Sequence, residues 1–213
     1  MQKSKLSILD LTQLALLSAL IVLMGFTPLG MVPIIPGALN ATTLHIPVII
    51  GAILFGHKKG AFLGGVFGLV SLIKNTIAPG AMSFLFSPVA PVIPFGPEKI
   101  PGNASGNFFS VLICFIPRIL VGLIAGLVYQ FVYKKSSSKV IGCIVTAIVA
   151  TITNTLFVLL GMFVFFHNYN GMDWAMGIMV AYGTGETILA AVLAPAICKP
   201  LSHILGKKKN ENK

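Results

Sequence analysis

The stretch FFSVLICFIPRILVGLIAGLVYQFVY, residues 108–133, has one charged residue, Arg118, within a run that is otherwise apolar or uncharged. An α-helix rises about 1.5 Å per residue, so this run is long enough to cross a bilayer core of about 30 Å. The stretch therefore predicts a membrane-spanning helix that carries one buried cation.

The whole composition agrees with a membrane environment. The 213 residues are 56% hydrophobic and 9% charged, and the mean hydropathy is +0.94. A soluble protein has a larger charged fraction to cover its surface. The formal net charge of +10 would suggest nucleic acid in a soluble protein, but here the basic residues cluster at the ends of apolar segments.

Five further apolar segments are bounded by charges or by Pro/Gly-rich breaks. With the first stretch they predict an all-α membrane protein of six transmembrane helices, at about 11–30, 42–55, 60–73, 108–133, 140–166 and 174–205. No segment between them is long enough to bury a core of its own, so we expect a single domain over 1–213.

The positions of the lysines predict the orientation. With six crossings, the N-terminus, two short turns and the C-terminus share one face. That face carries Lys3, Lys5, Lys58, Lys59, Lys134, Lys135, Lys139, Lys199, Lys207, Lys208, Lys209 and Lys213. The positive-inside rule then places both termini in the cytoplasm.

Two segments on the opposite face are rich in proline and glycine yet apolar. The longer, residues 75–107, is too apolar for a solvated linker and is expected to fold back onto the helices. It could serve as a lid over a binding cavity or as a passive plug between helices. The shorter, MVPIIPGALN at residues 31–40, has the same character. Together they suggest a covered pocket.

Two charges lie well inside predicted spans, where each costs roughly 2.5–3.5 kcal/mol at a helix centre. Arg118 lies about 15 Å from the start of its span, and Glu186 about 18 Å from Trp174 in the last span. They could pair with each other as a structural ion pair. Alternatively, Arg118 binds an anionic substrate group, since its planar donor fork suits a carboxylate, while Glu186 orients Arg118 or accepts from substrate hydroxyls.

Other polar residues lie in the same half of the membrane. Asn154, in the outer half of the fifth span, could bond a neighbouring helix or a ligand. Asn75 and Thr43 are further substrate-binding candidates at the outer side. Lys74, at the outer end of the third span, is a candidate too, although its amine could equally reach the interface.

The chain lacks the sequence motifs of common enzymes. It has no GxxxxGK[ST] phosphate loop, HExxH, GxSxG or Cys/His ligand cluster, so we expect no enzymatic activity, metal or cofactor. Cys114, Cys143 and Cys198 are interpreted as buried thiols. Any transport driven by ATP would require separate ATPase subunits.

Over nearly its full length the chain resembles the substrate-binding (S) components of energy-coupling factor (ECF) vitamin transporters. The similarity lies in the six spans and in LALLSALIVLMG at 14–25, TTLHIPVIIGAILFGHKKGAFLGGVFGLVSLIKNT at 42–76 and IPRILVGLIAGLVY at 116–129. TTLHIPVII and IPRILVG look most like the pantothenate-type members.

The resemblance implies a plasma-membrane vitamin binder that docks on a transmembrane coupling protein carried by two ATPases. The AxxxA docking motif of the family matches Ala15 and Ala19. The resemblance also implies an outer cavity walled by the last three helices and closed by the two apolar loops. Arg118, Asn154 and Asn75 would complement the carboxylate, amide and hydroxyls of pantothenate.

A different class of protein is the alternative. An autonomous secondary transporter of a small anionic solute would use Glu186 as the carboxylate that couples transport to an ion gradient. Such transporters usually contain paired repeats with interrupted helices, and this chain shows no convincing internal duplication.

Overall fold

The computed structural model describes residues 8–35, 39–80, 82–91, 106–136, 138–166 and 172–211, which are dominated by six α-helices. These are α1 Ile8–Gly25, α2 His45–Phe55, α3 His57–Ile77, α4 Phe108–Ser136, α5 Lys139–Phe166 and α6 Met172–Glu211. Strands β1 Met31–Ile35 and β2 Leu39–Thr42 and a 3-10 turn at Ser83–Leu85 are also formed. The predicted helical class is confirmed for the six helices, and a short hairpin is added to it.

Five of the described helices, all except α2, are long and apolar enough to cross a bilayer. Helix α2 has 11 residues and is therefore about 16 Å long, roughly half of the bilayer core. The second predicted span, 42–55, thus contains a shorter helix than expected. Thr42 belongs to β2 instead, so strand and short helix together occupy the connection between α1 and α3.

Helix α2 is short because the chain turns at Gly56, and it is buried because it has no polar face. Its residues 45–53 are all buried, as expected for a helix with no polar face. It ends at Gly56, whose φ of +88° suits glycine and lets the chain turn directly into α3. The core around α2 includes Ile49, Leu63 and Phe67.

The segment 31–40, predicted to be an apolar outer loop, contributes to an antiparallel hairpin. Met31 pairs with Thr42 and Val32 with Ala41, and the register shifts between Pro33 and Ile35. At the base of the hairpin, the Thr43 amide donates to the Gly30 carbonyl at 3.0 Å. Non-helical backbone at membrane depth must find such partners inside the protein.

Helix ends differ from the predicted ones by a few residues. Helix α1 stops at Gly25, and the chain turns through Pro28 rather than continuing to residue 30. Helix α3 continues to Ile77, so Lys74 and Asn75 lie in its last turn and not beyond it.

Helices α3 and α4 approach each other closely at glycines. A Cβ at Gly64 would collide with the carbonyl of Arg118, and one at Gly60 would collide with the carbonyl of Gly122. Small residues at four-residue spacing allow this contact. The contact fixes the position of Arg118 relative to α3.

Residues 82–91, which we call the cap segment, fold back onto the helices. Phe84 is fully buried, its ring meets that of Phe166 edge-on at 5.7 Å, and its carbonyl accepts from Ser110 Oγ at 2.7 Å. This part of the loop predicted over 75–107 thus folds back as expected. Residues 92–105, with Glu98 and Lys99, lie outside the described residues.

Several basic residues share one end of the bundle. Lys59 Nζ lies 2.9 Å from Asp10 Oδ1, which joins the start of α3 to the start of α1. Gly126 of α4 packs against His57, so Lys134 near the end of α4 lies towards the same end. The structure describes the side chains of Lys58, Lys59, Lys134 and Lys139, and the other lysines of the orientation argument lie outside its described residues or side chains.

Candidate functional site

A cavity of about 120 Å³ lies between β2, the cap segment and α3 to α6. Its polar lining comes from six elements: Thr42, Ser71, Asn75, Ser83, Arg118, Asn154, Thr155 and Glu186. Its apolar lining includes Met82, Phe86, Val158, Met179 and Tyr182. A concave, mixed surface of this kind is typical of small-molecule sites.

Arg118 is positioned by the proline that precedes it. Pro117 has no backbone N–H, so the carbonyl of Ile113, four residues earlier, has no helical partner. Arg118 Nη1 donates to this carbonyl at 2.9 Å. The IPR sequence therefore creates an acceptor inside α4 and supplies the side chain that satisfies it.

The guanidinium of Arg118 lies against two aromatic rings and has donor capacity left at Nε. Its central carbon lies 4.5 Å from the ring centre of Phe86 and 5.5 Å from that of Phe67, distances that allow cation–π attraction. The side chain is 4% exposed, and Nε has no hydrogen-bond partner among the described residues. A buried donor without a partner costs free energy unless a ligand satisfies it.

Glu186 bonds to the hairpin and not to Arg118. Its Oε1 accepts from the Thr42 backbone amide at 2.6 Å, and the residue is 8% exposed. Arg118 and Glu186 both belong to the described residues, and no ion pair within 4.0 Å joins them. The structural ion pair considered from the sequence is therefore not formed, and both charged side chains line the cavity.

Asn154 offers a free acceptor. It is 5% exposed, and its Oδ1 has no partner among the described residues. The neighbouring threonines, by contrast, use their hydroxyls on carbonyls of α5 itself, as when Thr153 donates to Val149 at 2.7 Å. The amide oxygen of Asn154 can therefore accept from a ligand hydroxyl or N–H.

Asn75 lines the cavity but is engaged within the protein. Its Nδ2 donates to the Ser71 carbonyl at 2.8 Å, and its Oδ1 accepts from Ser83 Oγ at 2.6 Å. Ser83 Oγ also accepts from the Gly80 amide at 2.8 Å. Asn75 thereby attaches the cap segment to α3 next to the cavity.

Of the predicted substrate-binding residues, Arg118, Asn154, Asn75 and Glu186 meet at the cavity, whereas Thr43 and Lys74 are not in its lining. Thr43 Oγ1 donates to the Leu29 carbonyl at 2.6 Å, and Lys74 lies in the last turn of α3. The docking candidates Ala15 and Ala19 are exposed on α1.

Sequence reasoning missed Phe86 and Tyr182 as lining residues. Phe86 was counted only as part of an apolar loop, and one Tyr inside a span carries no periodic signal. Both are found only once the cap segment and α6 are placed in space. Within the described residues, no group of three His, Cys, Asp or Glu side chains could hold a metal ion.

Comparison with known proteins identifies the family. Residues 9–96 and 99–205 match the family described as ECF transporter, substrate-specific component. The chain is 38% identical over 205 residues, 95% of its length and 97% of the relative's, to the pantothenic acid transporter PanT of Lactococcus lactis subsp. cremoris. It is 29% identical over 194 residues to the pantothenate transporter PanT of Leuconostoc mesenteroides, covering 85% of this chain and 83% of that one.

These matches and the five long apolar helices describe a multi-pass protein of the plasma membrane with a role in transport. The cavity with Arg118 and Asn154 agrees with a component that binds a small molecule. This chain belongs to the family of substrate-specific components of ECF transporters.

Proposed function

We propose that this protein is the high-affinity subunit that captures pantothenate from outside the cell for an ECF importer. The observation that carries the proposal is the buried guanidinium of Arg118, which lines the cavity and whose Nε has no hydrogen-bond partner among the described residues. Two relatives named for pantothenate transport support the choice of vitamin.

The chemistry of pantothenate matches the lining of the cavity. Its carboxylate suits the Nε edge of Arg118, because paired N–H donors bind a carboxylate in two parallel bonds. A hydroxyl or the amide N–H of the vitamin can donate to Asn154 Oδ1. The methyl groups can lie against the apolar wall formed by Met82, Val158 and Met179.

Energy for import comes, in this proposal, from separate subunits: a transmembrane coupling protein and two ATPases. The chain itself has no phosphate-loop motif. Ala15 and Ala19, four residues apart and exposed on α1, form the proposed docking face, where small side chains let a partner helix approach closely.

The proposed topology has six crossings in a single domain over 1–213, with both termini in the cytoplasm. The basic end of the bundle, where Lys59 meets Asp10, faces the cytoplasm by the positive-inside rule. The second crossing is then made by the hairpin and α2 together. Cysteine labelling from either side of sealed vesicles tests this orientation, and a C-terminus accessible only from outside would contradict it.

Calorimetry on the purified full-length protein tests the binding function. Pantothenate should bind without any ion gradient or ATP. Its alcohol analogue, in which CH₂OH replaces the carboxylate, should bind at least about 100-fold more weakly because the charge-assisted bonds to Arg118 are lost. Biotin, riboflavin and thiamine serve as controls. Equal affinity for acid and alcohol would refute the role of Arg118.

Transport in vesicles separates the proposal from an ion-coupled transporter. Pantothenate uptake should require the coupling protein, both ATPases and ATP. Uptake by this chain alone, driven only by a proton or sodium gradient, would refute the proposal.

A further inference from the structure

The hairpin ends, and α2 begins, at the edge of the cavity. Thr42 is the last residue of β2 and lines the cavity, while its Oγ1 accepts from the Leu44 amide at 3.4 Å. The Thr42 amide, however, is directed to α6 and not to the partner strand. It donates to Glu186 Oε1 at 2.6 Å, across 144 positions of sequence.

Within the described part of the chain, the hydrogen bonds of Thr43 tie the end of β2 to the turn that precedes the hairpin. The Thr43 amide donates to Gly30 at 3.0 Å, and Thr43 Oγ1 donates to Leu29 at 2.6 Å. The bond from Thr42 to Glu186, by contrast, joins the end of β2 to α6 at the cavity.

Glu186 lies where a carboxylate is costly. It is 8% exposed, in the middle of a helix of membrane-spanning length, and not within 4.0 Å of Arg118. An acceptor for a buried backbone amide is a physical reason for such a residue, since an unpaired N–H at membrane depth is destabilising.

We infer that Glu186 is a positioning residue: through the Thr42 amide it holds the β1–β2 hairpin against α6, and so closes the cavity around the ligand. This inference deepens the proposed function and rests on it where ligand binding is concerned. It replaces the prediction that Glu186 binds substrate directly.

Two conservative variants distinguish the effect of the length of the Glu186 side chain from the effect of its charge. Glu186→Gln keeps the length and an acceptor oxygen but removes the charge, whereas Glu186→Asp keeps the charge but shortens the side chain by one methylene. If Glu186 holds the hairpin, Glu186→Gln should keep the hydrogen bond to the Thr42 amide and Glu186→Asp should lose it. If Glu186 acts through its charge on ligand or Arg118, the order is reversed.

Hydrogen exchange of the ligand-free full-length protein in nanodiscs measures the stability of the hydrogen bond between the Thr42 amide and Glu186. The Thr42 amide should exchange about tenfold faster in Glu186→Asp, since losing a hydrogen bond of about 1.4 kcal/mol changes an opening equilibrium tenfold. In Glu186→Gln it should remain within about threefold of the wild-type rate. The buried amides around Ala147 and Ala150 in α5 should be unchanged, which excludes general unfolding.

Gly185→Ala is the matched control. A Cβ at Gly185 meets nothing within 4 Å, so this neighbour of Glu186 can change without touching the hairpin. Its exchange rates and pantothenate affinity should equal those of the wild type.

The dissociation rate of pantothenate provides the second measurement. It should rise about tenfold in Glu186→Asp and stay near the wild-type value in Glu186→Gln. Faster exchange in Gln than in Asp, or wild-type exchange in both, would overturn the inference. If pantothenate does not bind the wild-type protein, the proposed function fails, yet the exchange comparison still decides the role of Glu186.

Discussion

At the scale of single residues, the site depends on donors and acceptors that the protein leaves free. Arg118 uses Nη1 on the carbonyl of Ile113 and keeps Nε without a partner among the described residues. Asn154 likewise keeps Oδ1 free. A buried site with one cationic edge and one neutral acceptor favours an anion that also carries hydroxyl or amide donors.

Replacing Arg118 should strongly weaken the binding of pantothenate. Arg118→Ala removes charge-assisted hydrogen bonds of about 1.5–3 kcal/mol each, so pantothenate should bind at least about 100-fold more weakly. Arg118→Lys should recover little, because an ammonium lacks the planar fork. Calorimetry measures the affinity, and gel filtration checks that the variants remain folded. Wild-type affinity in Arg118→Ala would contradict the assignment.

Asn154 should contribute less than Arg118 to the affinity for pantothenate. Asn154→Ala removes a neutral acceptor, and a net loss of about 1 kcal/mol corresponds to binding about fivefold weaker. Thr153→Ala is the control, since the Thr153 hydroxyl donates to the Val149 carbonyl of its own helix. An equal loss in both variants would mean that Asn154 acts through the packing of α5 and not through the ligand.

At the scale of elements, Pro117 and the glycines of α3 decide where Arg118 lies. The proline frees the Ile113 carbonyl that anchors the guanidinium, and Gly64 lets the Arg118 backbone approach α3. Local helix stability is reduced at this point, since an interior proline removes one backbone hydrogen bond. We interpret this loss as serving the orientation of the side chain.

Pro117→Ala should therefore change stability and affinity in opposite directions. Alanine restores the amide that pairs with Ile113, so the free energy of unfolding should rise by about 1 kcal/mol or more. Arg118 Nη1 then competes with this amide for the carbonyl, and pantothenate should bind more weakly. Thermal shift and calorimetry measure the two effects. Higher affinity in this variant would refute the anchoring role of Ile113.

The contact between α3 and α4 should tolerate no added methyl at its closest point. Gly64→Ala places a Cβ against the Arg118 carbonyl and should destabilise the protein by about 1–3 kcal/mol. Gly65→Ala is the matched control, because a Cβ there meets nothing within 4 Å. In thermal denaturation in detergent, the melting temperature should fall for Gly64→Ala and stay unchanged for Gly65→Ala. Equal midpoints would show that the helices separate at no cost.

At the scale of the whole molecule, binding and docking occupy different parts of the bundle. The cavity is lined by α3 to α6, the end of β2 and the cap segment, whereas Ala15 and Ala19 are exposed on α1. Only three residues of α1 are buried, namely Leu14, Ile21 and Gly25. Its outer face is thus free to meet lipid or a partner subunit.

Changes on that face should separate transport from binding. Ala15→Leu or Ala19→Leu should reduce ATP-driven uptake at least about tenfold, because a large side chain prevents close helix approach, while calorimetric affinity for pantothenate stays unchanged. Ala15→Ser and Ala19→Ser, which keep the small volume, are the controls. Loss of binding in the leucine variants would place α1 in the site and contradict the docking role.

The membrane class, the helical fold and the two charged candidates follow from the order of the amino acids, because span length and the cost of a buried charge can be read along the chain. Arg118 and Glu186 stand out in apolar runs whatever surrounds them. The folding back of the apolar loop followed from the same reasoning for residues 82–91.

The contacts that those residues make depend on how distant parts of the chain fold together. Glu186 could have paired with Arg118, yet it accepts from Thr42, 144 positions away, because the hairpin brings that amide to α6. Phe86 joins the site only because the cap segment places its ring 4.5 Å from the guanidinium of Arg118. Hydrogen bonds and ring contacts act over a few ångströms between residues distant in sequence, so hydropathy and spacing cannot predict them.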